Sequence, residues 1–490
     1  MGIFGLPLPG AEPRNGHPDD GHGKRNDKQE VFPMITEKGS SVREFARGFH
    51  GEVVLPGSDG YDEAREVFNG MIDRRPALIA RCVDTHDVVR SVRFAREHGM
   101  PASVRGGGHS VAGHAVCDGG LMIDLSLMKG VEVDAENRVA KARPGVRLGE
   151  FIVETEKHGL VSPTGTVSDT GLAGLTLGGG YGYLSGKYGM AVDNLLAAEV
   201  VTADGRVLRA SADEYPDLYW ALRGGSGNFG VVTSFELKLY PLTQVLGGML
   251  IYPFERAGDV LRFYREVAAS APDELTTYAA LVTAPDGQQA VAVMPCYCGP
   301  IEEGERVLAP IRAFGPPIAD LIRPMKYSEM NKLIDEANPP GMQNYWKWNG
   351  LRELSDAAID AIVEHAARVP SPRSVILIDQ LHGAASRVAP SETAFAHRDA
   401  PHSLVIISMW EDPADAETNI AWTRGLAAAT ERYATGGVYV NGADDLGTRA
   451  SAAYGANYDR LVEIKTAYDP TNFFRHNQNI RPKAKSGAAS

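Results

Sequence analysis

Two glycine-dense segments in the first half of the chain restrict its fold more than any other feature. RGGGHSVAG spans residues 105–113, and GTVSDTGLAGLTLGGGYGYLSGKYG spans 165–189. Glycine permits positive φ and close backbone approach, at an entropic cost in the folded chain. Such runs mark places where the backbone bends sharply or lies against something. Two of them suggest paired backbone walls along an extended ligand, because loop amides bind phosphate without charged side chains. Neither segment is a standard nucleotide fingerprint. GGGYG departs from G-x-G-x-x-G, no strand leads tightly into it, Asp193 supplies the expected acid only loosely, and no GK[ST] follows. A sheet bend or tight turn is the competing reading of either segment alone. His109 directly follows the first glycine run. A neutral imidazole is a competent nucleophile, and the bland alternative is a surface or hydrogen-bonding histidine.

The surrounding hydrophobic periodicity alternates between helix and strand. Residues 85–99 place Val88, Val89, Val92 and Ala95 at helical spacing, with Thr85 as N-cap and Gly99 just past the end. Residues 101–104 form a short strand into the first glycine loop, and 120–126 a half-buried strand with Leu121, Ile123 and Leu125 inward. A helix over 147–159, a hairpin turning at Asp204-Gly205 and a strand with one wet face over 228–242 follow. From about residue 245 helical stretches such as 351–369 alternate with strands at 374–383 and 403–412, the pattern of an antiparallel sheet with helices on one side. Residues 460–474 read as a helix ended by a turn at Asp469-Pro470. The fold class is α+β.

At 490 residues the chain exceeds one ordinary core. Its 43% hydrophobic and 23% charged residues are those of a soluble globular protein. A net charge of −13 argues against a nucleic-acid partner. No apolar run reaches membrane-spanning length and no secretory pattern opens the chain, so no membrane partner and a cytoplasmic location are expected. Four cysteines are too few for a disulfide scaffold. Cys296 and Cys298 share a strand face without further ligands, so no metal site is expected.

Taken in order, RGGGHSVAG, GTVSDTGLAGLTLGGGYG, RGGSGNFGVVTSFELKLYP (223–241) and YVNG…YDPTNFFRHNQNIRP (439–482) resemble the berberine-bridge-enzyme-like flavoprotein oxidases of the vanillyl-alcohol-oxidase/PCMH superfamily. The likeness covers about residues 60–485. It implies a flexible tail over 1–40, a PCMH-type FAD-binding domain of two subdomains over 41–242, and a substrate domain over 243–444 with an antiparallel sheet covered by helices. A C-terminal segment over 445–482 would return to the FAD domain, before a tail over 483–490.

The resemblance also implies roles. FAD would be covalently attached through His109, framed by Arg105, Gly106, Gly107, Gly108 and Ser110. Where relatives carry a second, cysteinyl tether this chain has Val167, so none is expected. Thr170 stands where relatives carry a residue thought to gate oxygen, which leaves oxidase and dehydrogenase behaviour both open. Further cofactor contacts are expected from Thr166, Gly171, Gly174, Gly179, Gly180, Tyr181, Gly182, Val231 and Asn479. The base would be Tyr439 of the Y-x-N motif, with Tyr183 as a second tyrosine facing the flavin. A packed strand tyrosine is the competing reading of Tyr439.

Period-2 alternation puts Ile376, Ile378, Gln380 and His382 on one strand face, and Ile406, Ser408 and Trp410 on another. Gln380, His382 and Trp410 are therefore expected in the substrate pocket, while Trp346 and Trp348 read as core. The expected partners are a small-molecule substrate (an alcohol, sugar hydroxyl, secondary amine or natural-product carbon) and oxygen. A dehydrogenase with poor oxygen reactivity and a non-catalytic flavin carrier are the alternatives. The sequence leaves monomer and homo-oligomer open.

Overall fold

The computed structural model describes residues 39–484, except 443, 445, 448 and 449. Most of the expected N-terminal tail (1–38) and the end of the C-terminal one (485–490) lie outside the described residues.

The first sheet holds β1 (Glu52–Val54), β2 (Leu78–Arg81), β3 (Ala102–Arg105) and β4 (Leu121–Asp124) in the order β1-β2-β4-β3. β2, β4 and β3 run parallel, with β1 antiparallel at the edge. Every residue of β4 is buried, so it is not the half-buried strand its alternation predicts. A parallel central strand is covered on both faces. Helix α1 (Thr85–Glu97) packs Val88, Val92 and Ala95 into this core. Its N-cap is Asp84, not Thr85: the Asp84 carboxylate accepts from the Asp87 amide at 3.0 Å.

The second sheet is antiparallel, in the order β5-β6-β10-β8-β9. It contains β5 (Val131–Asp134), β6 (Val139–Ala142), β8 (Leu195–Val201), β9 (Val207–Ser211) and β10 (Val231–Lys238), with a short pair beside it of β7 (Leu160–Val161) and β11 (Tyr240–Pro241). The β8–β9 hairpin turns at Asp204-Gly205 as expected. The wet face predicted for β10 is confined to its end, because Val232 and Ser234 are buried and only Lys238 is exposed. Helix α2 (Leu148–Glu156) and helix α3 (Leu172–Gly178) pack on this sheet.

Beyond β11 the chain enters a nine-stranded sheet, built from β12 (Val245–Gly247), β13 (Leu250–Pro253), β14 (Leu275–Thr283), β15 (Gln289–Tyr297), β16 (Ala319–Asp320), β17 (Arg323–Met325), β18 (Gln343–Leu351), β19 (Val375–Gln380) and β20 (His402–Trp410). All of its pairings are antiparallel, and its main path runs β16-β13-β15-β14-β19-β20-β18. Helices α4 (Ala257–Ser270), α5 (Asp356–Ala366) and α6 (Ala416–Thr430) cover one face, against Leu281, Ile376, Ile378, Leu404 and Ile406. The helix expected over 351–369 starts late: Leu351 ends β18, and the Ser355 hydroxyl caps α5.

Helix α7 (Tyr458–Tyr468) carries Lys465, buried completely. Its ammonium donates to the Asp469 carboxylate and to the carbonyls of Asn228 and Phe474 at 2.7–2.8 Å. The Gln478 carbonyl in turn accepts from Asn228 and Tyr454. These bonds hold residues 474–478 beside the loop that precedes β10.

Candidate active site

The free face of the nine-stranded sheet and the two glycine loops enclose one continuous cavity of about 1130 Å³. That exceeds a typical small-ligand pocket. Gly106, Gly107, Gly108, His109 and Ser110 line it from one loop; Thr166, Val167, Thr170, Gly171, Gly174 and Tyr181 line it from the other, and Val231 from β10. The two loops touch: a Cβ on Gly107 would lie 2.5 Å from the Gly171 backbone. Only glycine lets these walls close so far, which is the local reason for the glycine density.

Arg105, Gly179, Gly180, Gly182 and Asn479 stand behind the wall rather than on it. The Arg105 guanidinium donates to the Ala64 carbonyl at 2.7 Å. Gly180 adopts φ 78°, and its N–H donates to the Tyr439 hydroxyl at 2.9 Å. Asn479 keeps a buried, unpartnered Oδ1, while its neighbours Asn477 and Gln478 reach the cavity.

His109 is half-buried and stacks on Phe68, with ring centroids 4.0 Å apart. Its Nε2 is shielded from solvent and has no hydrogen-bond partner. Burial, helped by the nearby Arg147 charge, pushes its pKa down to about 4, so the ring is neutral at pH 7. A neutral imidazole with an unpartnered nitrogen, set in a glycine cradle, fits the flavin that the sequence resemblance implies. Val167 lines the cavity, and none of the four buried, free cysteines does. Cys296 and Cys298 pack in the core, where burial pushes both thiols up.

Tyr439 lines the same cavity. Its hydroxyl accepts from the Gly180 N–H at 2.9 Å and the Asn441 side-chain amide at 3.0 Å. Burial raises its pKa to about 12 against these two donors. Tyr183 does not reach the cavity. It lies in the core, edge-on to Tyr278, and its hydroxyl has no partner. Along G-Y-G-Y the side chains alternate, and Tyr181 is the one that faces inward.

The expected pocket residues fall on the wrong side of the sheet. Gln380 is buried behind it: its amide oxygen accepts from the Thr277 N–H and hydroxyl at 3.0 and 2.9 Å, and its amide nitrogen donates to the Ala268 carbonyl of α4 at 2.8 Å. His382 packs against Gly186 at the start of the short helix Gly383–Arg387. Trp410 is 1% exposed and buried away from the cavity. The cavity face carries Val375, Leu377 and Asp379 on β19, and Val405, Ile407 and Met409 on β20, one residue out of step with the expected rows. Trp346 and Trp348 of β18, read as core from sequence, also line the cavity.

Asp379 is the residue that sequence reasoning missed. Registry sets it between Tyr278 of β14 and Ser403 of β20. Its Oδ2 accepts from the Tyr181 hydroxyl at 2.7 Å and the Ser403 hydroxyl at 3.2 Å, while Oδ1 is buried and unpartnered. Trp348 Nε1–H donates to the Tyr181 hydroxyl at 3.1 Å. Burial pushes the Asp379 pKa up to about 7, against the pull of these two hydrogen bonds. A carboxyl so placed takes or gives a proton near neutral pH. The Tyr181 and Tyr439 rings lie 5.1 Å apart, so acid and phenol share one end of the cavity. The available signal was a lone acid interrupting an apolar strand.

Residues 76–211 match the family model of an FAD binding domain, and residues 438–481 match the berberine and berberine-like model. The chain is 32% identical over 446 residues to an uncharacterised FAD-linked oxidoreductase, YgaK, of Bacillus subtilis, covering 89% of this chain and 98% of that one. It is 34% identical over 448 residues to (R)-6-hydroxynicotine oxidase of Paenarthrobacter nicotinovorans, covering 88% and 97%. The crystal structure of 6-hydroxy-D-nicotine oxidase from Arthrobacter nicotinovorans superposes with a TM-score of 0.83 at 32% identity, over 89% of this chain and 98% of that one. Among the described residues no helix is long and apolar enough to cross a membrane.

Proposed function

Because the chain belongs to the berberine-bridge-like FAD-linked oxidoreductases, we propose that it is an oxidase with its flavin covalently attached through His109 alone. Its substrate carries the reacting C–H next to a hydroxyl or an amine. The observation that carries this reading is the shared cavity: an unpartnered neutral His109 at the glycine loops, and Tyr439 with Asp379 beyond them. The flavin, when bound, supplies the two-electron acceptor for the hydride lost from the substrate carbon.

The chain's own residues handle the proton. In the proposed scheme Tyr439 takes the substrate's hydroxyl or amine proton, and its phenolate is stabilised by the two N–H donors from Gly180 and Asn441. Asp379, held by Tyr181 and Ser403, is the neighbouring group whose proton affinity matches neutral pH. The closed glycine walls and the apolar sheet face exclude water around both groups. Oxygen as the final acceptor is supported by a relative that is itself named an oxidase.

The test is simple. Acid-precipitated wild-type protein should stay yellow, and His109→Ala should release its flavin on precipitation. Colour lost from precipitated wild type refutes the covalent link, and peroxide production against dye reduction separates oxidase from dehydrogenase.

A further inference from the structure

The proposal that follows rests on the oxidoreductase reading and narrows its substrate. The cavity face of the nine-stranded sheet is built in cross-strand rows. Ala292, Ala280, Leu377, Val405 and Trp348 form one row, and Met294, Tyr278, Asp379 and Ser403 the next. The first row is apolar apart from the Trp348 N–H, which is already donated to the Tyr181 hydroxyl. The second presents two unpartnered polar atoms at its inner end: Asp379 Oδ1, which accepts, and the Tyr278 hydroxyl, which can donate or accept.

β19 runs inward from Pro372 and Arg373 at the exposed mouth to Asp379. From Val375 to Asp379 it spans about 13 Å at the usual strand rise. A ligand that reaches the acid therefore lies along roughly two rings' length of Val375, Leu377, Val405 and Ile407. Sugar hydroxyls would find few partners on that wall, and unpaired polar groups there are costly.

The charges point the same way. Around the mouth Asp286, Glu336 and Glu411 are exposed acids. Arg373 is the one lysine or arginine among the described residues lining the cavity, and it pairs with Glu411 at 3.3 Å. His109, His114 and His476 stand on segments at the glycine-loop end. An acidic mouth on a chain of net charge −13 attracts cations and repels anions. Inside, Tyr181, Tyr278, Tyr439 and Trp348 surround Asp379, and aromatic faces favour a cation as well.

We propose that the substrate is an apolar, ring-bearing amine, bound as its ammonium ion with an N–H donated to the free oxygen of Asp379. The ammonium gives one proton to the Tyr439 phenolate, while its other N–H stays donated to Asp379 Oδ1. The nitrogen lone pair so freed becomes the second bond of a C=N as the adjacent carbon loses its hydride to the flavin acceptor. The ammonium loses one proton and one hydride, so its positive charge is kept and the product is the iminium ion, the protonated imine.

The test uses the holoenzyme with three probes: N-methylbenzylamine, benzyl methyl ether as its neutral isostere, and cellobiose. Binding is read by quenching of the Trp346 and Trp348 fluorescence, and turnover by anaerobic bleaching of the flavin absorbance. The amine should bind and bleach, and cellobiose should do neither. Asp379→Asn, similar in volume, should weaken amine binding about 50-fold or more, as expected for loss of one partner of a buried charge pair. Binding of the ether should change less than about threefold. Bleaching by cellobiose but not by the amine overturns the proposal, and so does equal loss of amine and ether binding in Asp379→Asn. A preparation without flavin would refute the oxidoreductase reading instead, and fluorescence quenching would still decide the amine preference.

Discussion

The contact between the glycine loops gives a prediction with opposite outcomes at two neighbouring positions. A Cβ added at Gly107 falls 2.5 Å from both N and Cα of Gly171, where ordinary contact begins near 3.4 Å. Gly107→Ala therefore forces the walls about 1 Å apart. Neither wall yields easily. The Gly171 side is pinned by the Leu148 N–H to the Thr170 carbonyl at 2.9 Å and the Leu172 N–H to the Val146 carbonyl at 3.0 Å, and the other loop continues directly from β3. Overpacking of rigid backbone costs about 1–3 kcal/mol. Gly107→Ala should accordingly lower the melting temperature of the flavin-free protein by several degrees and reduce flavin content as well. A Cβ at Gly174 meets nothing within 4 Å, although this residue lines the cavity inside helix α3. Alanine there is favoured over glycine by about 1 kcal/mol of helix propensity. Gly174→Ala should leave the flavin-free protein as stable as wild type or more so, yet lower its flavin content, because the methyl occupies ligand space. Differential scanning fluorimetry and the ratio of visible to ultraviolet absorbance read the two quantities separately. Full flavin content in both variants, or an unchanged melting temperature in Gly107→Ala, would refute the assignment of these loops as the cofactor's walls.

Three further perturbations test the rest of the site. Tyr439→Phe should slow anaerobic flavin reduction by about 100-fold or more, the usual weight of a positioned acid–base group, with flavin content unchanged; a rate near wild type removes Tyr439 as the base. Folded Asp379 keeps its proton up to about pH 7, whereas in the unfolded chain it loses it near pH 4. The folded state binds the extra proton across that interval, so this group's contribution to stability falls as pH rises from about 4 to 7. Asp379→Asn should then be more stable than wild type at pH 8, with the gap closing below pH 4; a pH-independent gap in melting temperature refutes the raised pKa. Lys465→Met leaves the Asp469 carboxylate buried without its cation, a loss of about 3–5 kcal/mol for a broken buried pair. It should lower the denaturant midpoint and loosen residues 474–478, read by faster proteolysis there; an unchanged midpoint would show that the pair does not fasten the C-terminal segment.

Much of this was legible in the sequence because it is local. The glycine loops, with His109 on the first and Val167 on the second, are read from short contiguous stretches, and both residues line the cavity. The α+β division and the change of texture near residue 245 follow from periodicity, which local hydrogen bonding dictates. What failed was the choice of face. β19 reads VILIDQ, apolar on both faces: Ile376 and Ile378 pack under the helices, while Val375 and Leu377 line the cavity. Alternation identifies two rows but not which one meets the ligand, and a slip of one residue exchanges them. Gln380 breaks an apolar row, yet its amide is consumed by Thr277 and Ala268. Asp379 breaks the other row.

The difference between these two polar residues is chemical as well as positional. A buried amide that finds a donor and an acceptor is satisfied and does nothing further. A buried carboxylate with one oxygen held by Tyr181 and Ser403 and the other unpartnered is not. Its partner Tyr181 lies 198 positions away in the chain, on the second glycine segment, so no local pattern could pair them. The two features that the sequence displayed separately, an acid interrupting an apolar strand and a tyrosine embedded in a glycine run, meet across the cavity. Each explains why the other was out of place: the glycines bring Tyr181 to the sheet, and the sheet holds the one group that needs its hydroxyl.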